Sequence, residues 1–283
     1  FGPGGSAAGP KPGRDGFSVE LGGRPQLMPL ELLGVFPAPL PFMSTHALLV
    51  ACLPLFLIAS LDAPQADGAH AEERSPLTLG SAGTQLTYVV LGDSTAAGVG
   101  GNYDQGIAVS TARSLAHRFR VTMTNLSVSG ARIDDVLKRQ LPVAESLRPD
   151  VVLLSVGAND VTHLTPIGWM RADLRAIVQR VTTANPNVRI VITGSPDMGA
   201  PPRIPRLLRS FAGYRTKLVN RMFESQAAET GLVFAPIART TGKHFRHNRG
   251  LFADDRFHPN DEGYATWIPV LNEALLAATN GFS

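Results

Sequence analysis

Four short segments carry side chains able to do chemistry together. Gly92-Asp93-Ser94-Thr95-Ala96-Ala97-Gly98 sets a hydroxyl among small residues directly after an apolar run. Ser129-Gly130-Ala131 offers an exposed backbone N–H, and Gly157-Ala158-Asn159-Asp160 offers a side-chain amide. Asp255-Arg256-Phe257-His258 puts a carboxylate three residues before an imidazole, a spacing that lets it reach Nδ1–H while Nε2 stays free for a hydroxyl proton. A serine hydroxyl is a weak nucleophile at neutral pH, and an imidazole that takes its proton during attack is the usual remedy. Singly, each segment has a plainer reading. Ser94 suits a helix cap or phosphate cradle, Gly130 a turn, Asn159 a cap, and Asp255 with His258 a surface turn.

A regular alternation of elements must position these groups. Residues 86–91, 121–126, 151–156, 188–193 and 232–235 are short apolar runs rich in β-branched residues and read as buried strands. Helical patterns lie between them at about 107–119, 133–140, 168–184 and 205–230, with a last one at 260–278. Strands alternating with helices imply a parallel sheet covered on both faces, because parallel strands need helical crossovers. The expectation is a single three-layer α/β domain with about five strands. Ligands in such sheets bind outside the carboxyl ends of the strands, where Ser94, Gly130 and Asn159 all fall.

Bulk properties exclude several other classes. Hydrophobic residues at 44% and charged residues at 17% describe a chain with a real core rather than a disordered one. A net charge of +3, too small and dispersed for nucleic acid, comes with no zinc-finger or basic-helix pattern. The basic residues that gather between Arg203 and Arg249 read as a solvated helix face and loop, or as attraction to an anionic envelope or substrate. The lone Cys52 allows no internal disulfide and no thiol nucleophile downstream. No Lys follows the Gly92–Gly98 loop as a P-loop requires, and no G-x-S-x-G elbow occurs. His244 and His247 form an H-x-x-H in a basic loop without a nearby carboxylate, a poor metal site, and His163 either lines the pocket or faces water.

The N-terminal part has a different character. Residues 1–42, rich in Gly and Pro, read as a disordered or non-native extension. Residues 43–71 contain an apolar stretch from Ala47 to Leu61, then a polar segment ending in Ala69-His70-Ala71 before Glu72, the layout of a secretory signal peptide. No Lys or Arg lies between Met43 and the apolar stretch, so an uncleaved anchor is the rival and the sole membrane contact foreseen. Residues 72–283 are then the folded domain that carries the four segments, and the expected location is the cell envelope or the exterior.

Together the four segments resemble the SGNH (GDSL-type) hydrolase family block for block, over about residues 86–278. Gly92-Asp93-Ser94 matches its first block, Gly130 its second, Gly157-x-Asn159-Asp160 its third and Asp255-x-x-His258 its last, in order and spacing. Thr95 stands where the name-giving motif has Leu. The resemblance implies a flavodoxin-like fold without a large lid domain and hydrolysis of an ester or related acyl bond. It implies Ser94 as nucleophile, His258 as base and Asp255 as its orienting acid. It further implies that the N–H groups of Ser94 and Gly130 and the amide of Asn159 bind the oxyanion, with no cofactor and no metal. Asp93 and Asp160 are then structural acceptors. A flavin-binding module is the competing reading from another class, and an inactive glycan binder a third. Among enzymes, an arylesterase, lysophospholipase, thioesterase and polysaccharide O-acetylesterase all remain open, since the substrate is a small-molecule, lipid or glycan ester.

Overall fold

The computed structural model describes residues 76–282. The expectations for residues 1–42 and 43–71 lie outside the described residues. The strands are β1 Leu77–Leu79, β2 Gln85–Gly92, β3 Arg120–Asn125, β4 Val151–Ser155, β5 Arg189–Ile192 and β6 Val233–Phe234. They form one sheet in the order β1-β3-β2-β4-β5-β6. β2 to β6 run parallel, and β1 lies antiparallel on β3 at the edge. The parallel body therefore matches the expectation of about five strands. The sixth, β1, is three residues long, too short for any hydrophobic period to register.

Every residue of β4 is buried, as a strand covered on both faces must be. Val89, Leu91, Val152 and Leu154 pack on one side in the layer that includes the helices Ile167–Ala184 and Arg206–Thr230. Tyr88, Val90, Val151 and Leu153 pack on the other with Ile107–Leu115 and Asp261–Thr279. Burying each such side chain stabilises by about 1.5–3 kcal/mol, so the alternation along β2 and β4 commits both helical layers. Among the described residues no helix is long and apolar enough to cross a membrane.

Counted in chain order, the five parallel strands lie 2-1-3-4-5, the flavodoxin-like arrangement. The order reverses between β2 and β4, and the crevice at their carboxyl ends is where such sheets bind ligands. The segment read as a basic loop is instead the helix Ile237–His247, with Ile237, Thr241 and Phe245 buried at four-residue spacing. His244 and His247 ride on that helix, where the His247 ring N–H donates to the Lys243 carbonyl at 2.7 Å. The expected helix over 133–140 runs on as Ile133–Asp135, a wider π turn Val136–Gln140, and Leu141–Leu147.

Candidate active site

β2 ends at Gly92, where φ is 152° and a Cβ would lie 2.0 Å from the Ser155 carbonyl oxygen of β4. Only glycine fits there. The Asp93 N–H donates to that same carbonyl at 3.0 Å, and the chain then leaves the sheet and delivers Ser94. Asp93 itself is buried, accepting from the N–H and hydroxyl of Thr95 at 2.9 and 2.7 Å. Burial pushes its carboxyl up. Farther along, the Tyr264 hydroxyl donates to the Val99 carbonyl at 2.6 Å and ties the Ser94 loop to the last helix.

Sequence reasoning passes over Gln140. Its side chain accepts from the Gly92 N–H and donates to the Gly92 carbonyl, both at 2.8 Å, so the π turn clasps the residue from which the Ser94 loop springs. The available signal is the last of three consecutive polar residues closing an amphipathic helical pattern, which is not diagnostic by itself.

His258 lies in a turn directly before the helix Asp261–Thr279. Asp255 Oδ1 accepts from the backbone N–H groups of Phe257 and His258 at 2.8 and 3.0 Å, and its Oδ2 accepts from His258 Nδ1 at 2.5 Å. Arg256, between them, adopts a left-handed φ of 60°, unusual for a residue with a side chain. Its carbonyl accepts from the Arg203 N–H at 3.0 Å, which joins this turn to the loop after β5. With Nδ1–H committed to the carboxylate, Nε2 accepts from the Ser94 hydroxyl at 2.8 Å. Ser94 and His258 are 2% and 1% exposed, so this contact sits in a water-poor setting. Partial burial opposes ionisation of Asp255, but the hydrogen bonds from His258 and the Phe257 and His258 backbone outweigh it and hold its carboxyl at about 2.

Gly130 has a φ of 82° and follows β3. Among the described residues no backbone carbonyl accepts from the N–H of Ser94 or Gly130. Asn159 opens the short helix Ala158–Thr162 after β4, is buried, and donates one Nδ2 hydrogen to the Ala131 carbonyl at 3.0 Å. That bond joins the second-block loop to the third. Asp160 accepts from the Ile133 N–H at 3.1 Å, and burial pushes its carboxyl up to about 6. The His163 Nδ1–H donates to the Asn159 carbonyl at 2.9 Å.

This hydroxyl, imidazole and carboxylate arrangement recurs on unrelated folds, so the comparisons with known proteins decide the lineage. The model of the GDSL-like Lipase/Acylhydrolase family matches residues 90–266, a span that contains Ser94, Gly130, Asn159, Asp255 and His258. The chain belongs to that family. A GDSL-like esterase of Mycobacterium tuberculosis is 29% identical over 225 residues, covering 76% of this chain and 71% of the relative. Among solved structures, TesA superposes with a TM-score of 0.57 at 19% identity, covering 68% of this chain and 99% of its own. The psychrotrophic esterase EstA of a Pseudoalteromonas species gives 0.54 at 21% identity, covering 69% and 99%. These last two speak for the fold. Membership in the GDSL-like family makes the protein a hydrolase of ester bonds, and it displaces the flavin-module reading of the loop after β2.

Proposed function

We propose that this protein is a serine esterase that hydrolyses carboxylic esters with Ser94, His258 and Asp255 as its triad. The single observation that carries the reading is the chain of two hydrogen bonds, Ser94 Oγ to His258 Nε2 at 2.8 Å and His258 Nδ1 to Asp255 at 2.5 Å. As the Ser94 oxygen attacks the ester carbonyl, His258 takes its proton and then gives it to the departing alcohol. Water then attacks the acyl-serine, losing its proton to His258, which returns it to Ser94 as the acid leaves. Asp255 fixes the tautomer that leaves Nε2 free and stabilises the imidazolium that forms. The negative oxygen of the tetrahedral intermediate is received by the N–H groups of Ser94 and Gly130 and by the second Nδ2 hydrogen of Asn159. The Asn159 to Ala131 bond supports this by holding the amide before any charge develops.

Ser94→Ala tests the reading. Ester turnover and covalent labelling by a fluorophosphonate should both be abolished while circular dichroism is unchanged; labelling that survived would refute the assignment. Substrates are small-molecule, lipid or glycan esters, and nucleic acid is not a partner. We further propose export to the envelope or exterior, with residues 43–71 as the signal and 72–283 as the mature domain. Intact mass of exported protein should then place the N-terminus near Glu72.

A further inference from the structure

An apolar cavity of about 30 Å³ opens beside Ser94 and His258. Its far walls come from Met198, Ala200 and Pro201 of the loop after β5, and from Phe245, Phe252 and Trp267. Gly130 and Asn159 do not line it; Gly130 faces a separate hollow next to Gln140 and Arg139. A carbonyl oxygen directed at Gly130 and Asn159 therefore leaves a substituent to enter the cavity. An apolar cavity of about 150 Å³ accepts a benzene ring, and one about a fifth as large has room for one or two carbons.

The walls are held in place. Arg246 donates from Nε and a terminal nitrogen to the two Asp197 oxygens at 2.5 and 2.9 Å, and the Met198 N–H donates to Thr216 Oγ1 at 3.2 Å. Phe245 packs its ring against Phe252 and Trp267 with centroids 5.3 and 5.6 Å apart. Widening the cavity means breaking the fork or displacing buried rings, which is costly in a close-packed interior.

We propose that this cavity is the acyl pocket and that it restricts the enzyme to acetyl and propionyl esters. The proposal rests on the Ser94 esterase reading. During turnover the Ser94 oxygen bonds to the carbonyl carbon as the bond to the alcohol oxygen breaks, and the serine proton passes through His258 to that alcohol. The alcohol must then leave so that water can take its place, whereas the acyl group stays on Ser94 through both half-reactions. An apolar recess beside Ser94 suits the part that stays.

Two ester series on the whole protein test this. In nitrophenyl esters from acetate to octanoate, kcat/KM should peak at two or three carbons and fall at least about tenfold by hexanoate. In acetate esters of alcohols of increasing size it should change little. Met198→Ala should move the acyl optimum to longer chains, and Ala200→Val, which fills the recess, should spare acetate and depress propionate and butyrate. A rate that climbs to octanoate, a flat acyl series with a size-sensitive alcohol series, or unchanged selectivity in both folded variants would each overturn the pocket assignment. In all three cases Ser94 remains labelled by a fluorophosphonate. Turnover that survives Ser94→Ala would instead overturn the esterase reading beneath it.

Discussion

Gln140 holds Gly92 by both of its backbone polar groups, although 48 residues separate them in the chain. Gly92 admits no side chain, so nothing of its own can anchor the turn into Ser94, and the Gln140 amide supplies that anchor. Gln140→Leu leaves the Gly92 N–H buried without a partner. We expect a loss of about 2–3 kcal/mol in urea unfolding together with a lower kcat. A change under about 0.5 kcal/mol would show that the clasp is incidental.

Asn159 donates to Ala131 while offering its other hydrogen to the site. Substrate carries little charge on its carbonyl oxygen before attack, so removing this donor should lower kcat far more than it raises KM. Asn159→Ala should cost about 10²–10³ in kcat, with Ser94 still labelled by a fluorophosphonate, only more slowly. Asn159→Asp should be at least as harmful because it sets a negative acceptor where a donor is needed. Near-normal kcat in a folded Asn159→Ala protein would leave Asn159 a loop residue alone.

The Asp255 carboxyl titrates at about 2 against an ordinary value of 3.8. The folded protein therefore binds this proton less readily than the unfolded chain. The resulting stabilisation is present above about pH 4 and is lost as pH falls toward about 2. The difference in Tm between wild type and Asp255→Asn should accordingly narrow across that interval. Above it, Asp255→Asn should lower kcat by up to about 10⁴, since a side-chain amide favours the wrong imidazole tautomer. A Tm difference that stays constant down to about pH 2 would contradict the assigned titration.

Arg246 is 43% exposed on its side chain while its partner Asp197 is 12% exposed, so removing the arginine strands a nearly buried carboxylate. Arg246→Ala should lower stability by about 1–3 kcal/mol and blunt the acyl-length selectivity measured with nitrophenyl esters. Arg246→Lys, with a point charge in place of the planar fork, should recover only part of both. Intact selectivity in Arg246→Ala would show that the fork does not hold the pocket wall.

Much of the fold is legible in the residues. Val151–Ser155 and its apolar neighbours, alternating with helical periods, specify parallel strands and crossovers because each crossover needs a helix that buries one face. The contact between Asp255 and His258 is legible too, since groups three residues apart meet through local backbone geometry alone. The helix Ile237–His247 was masked by its many basic residues, although Ile237, Thr241 and Phe245 carry its buried stripe. The meeting of Ser94 with His258 spans 164 residues and depends on the sheet reversing its order between β2 and β4. The clasp of Gln140 on Gly92, the Asp197 to Arg246 fork and the recess walled by Met198 and Trp267 were decided by tertiary structure. Periodicity and local spacing record which face of an element is buried. Which distant side chains meet across that buried face, and how much space they leave, depends on how whole layers pack.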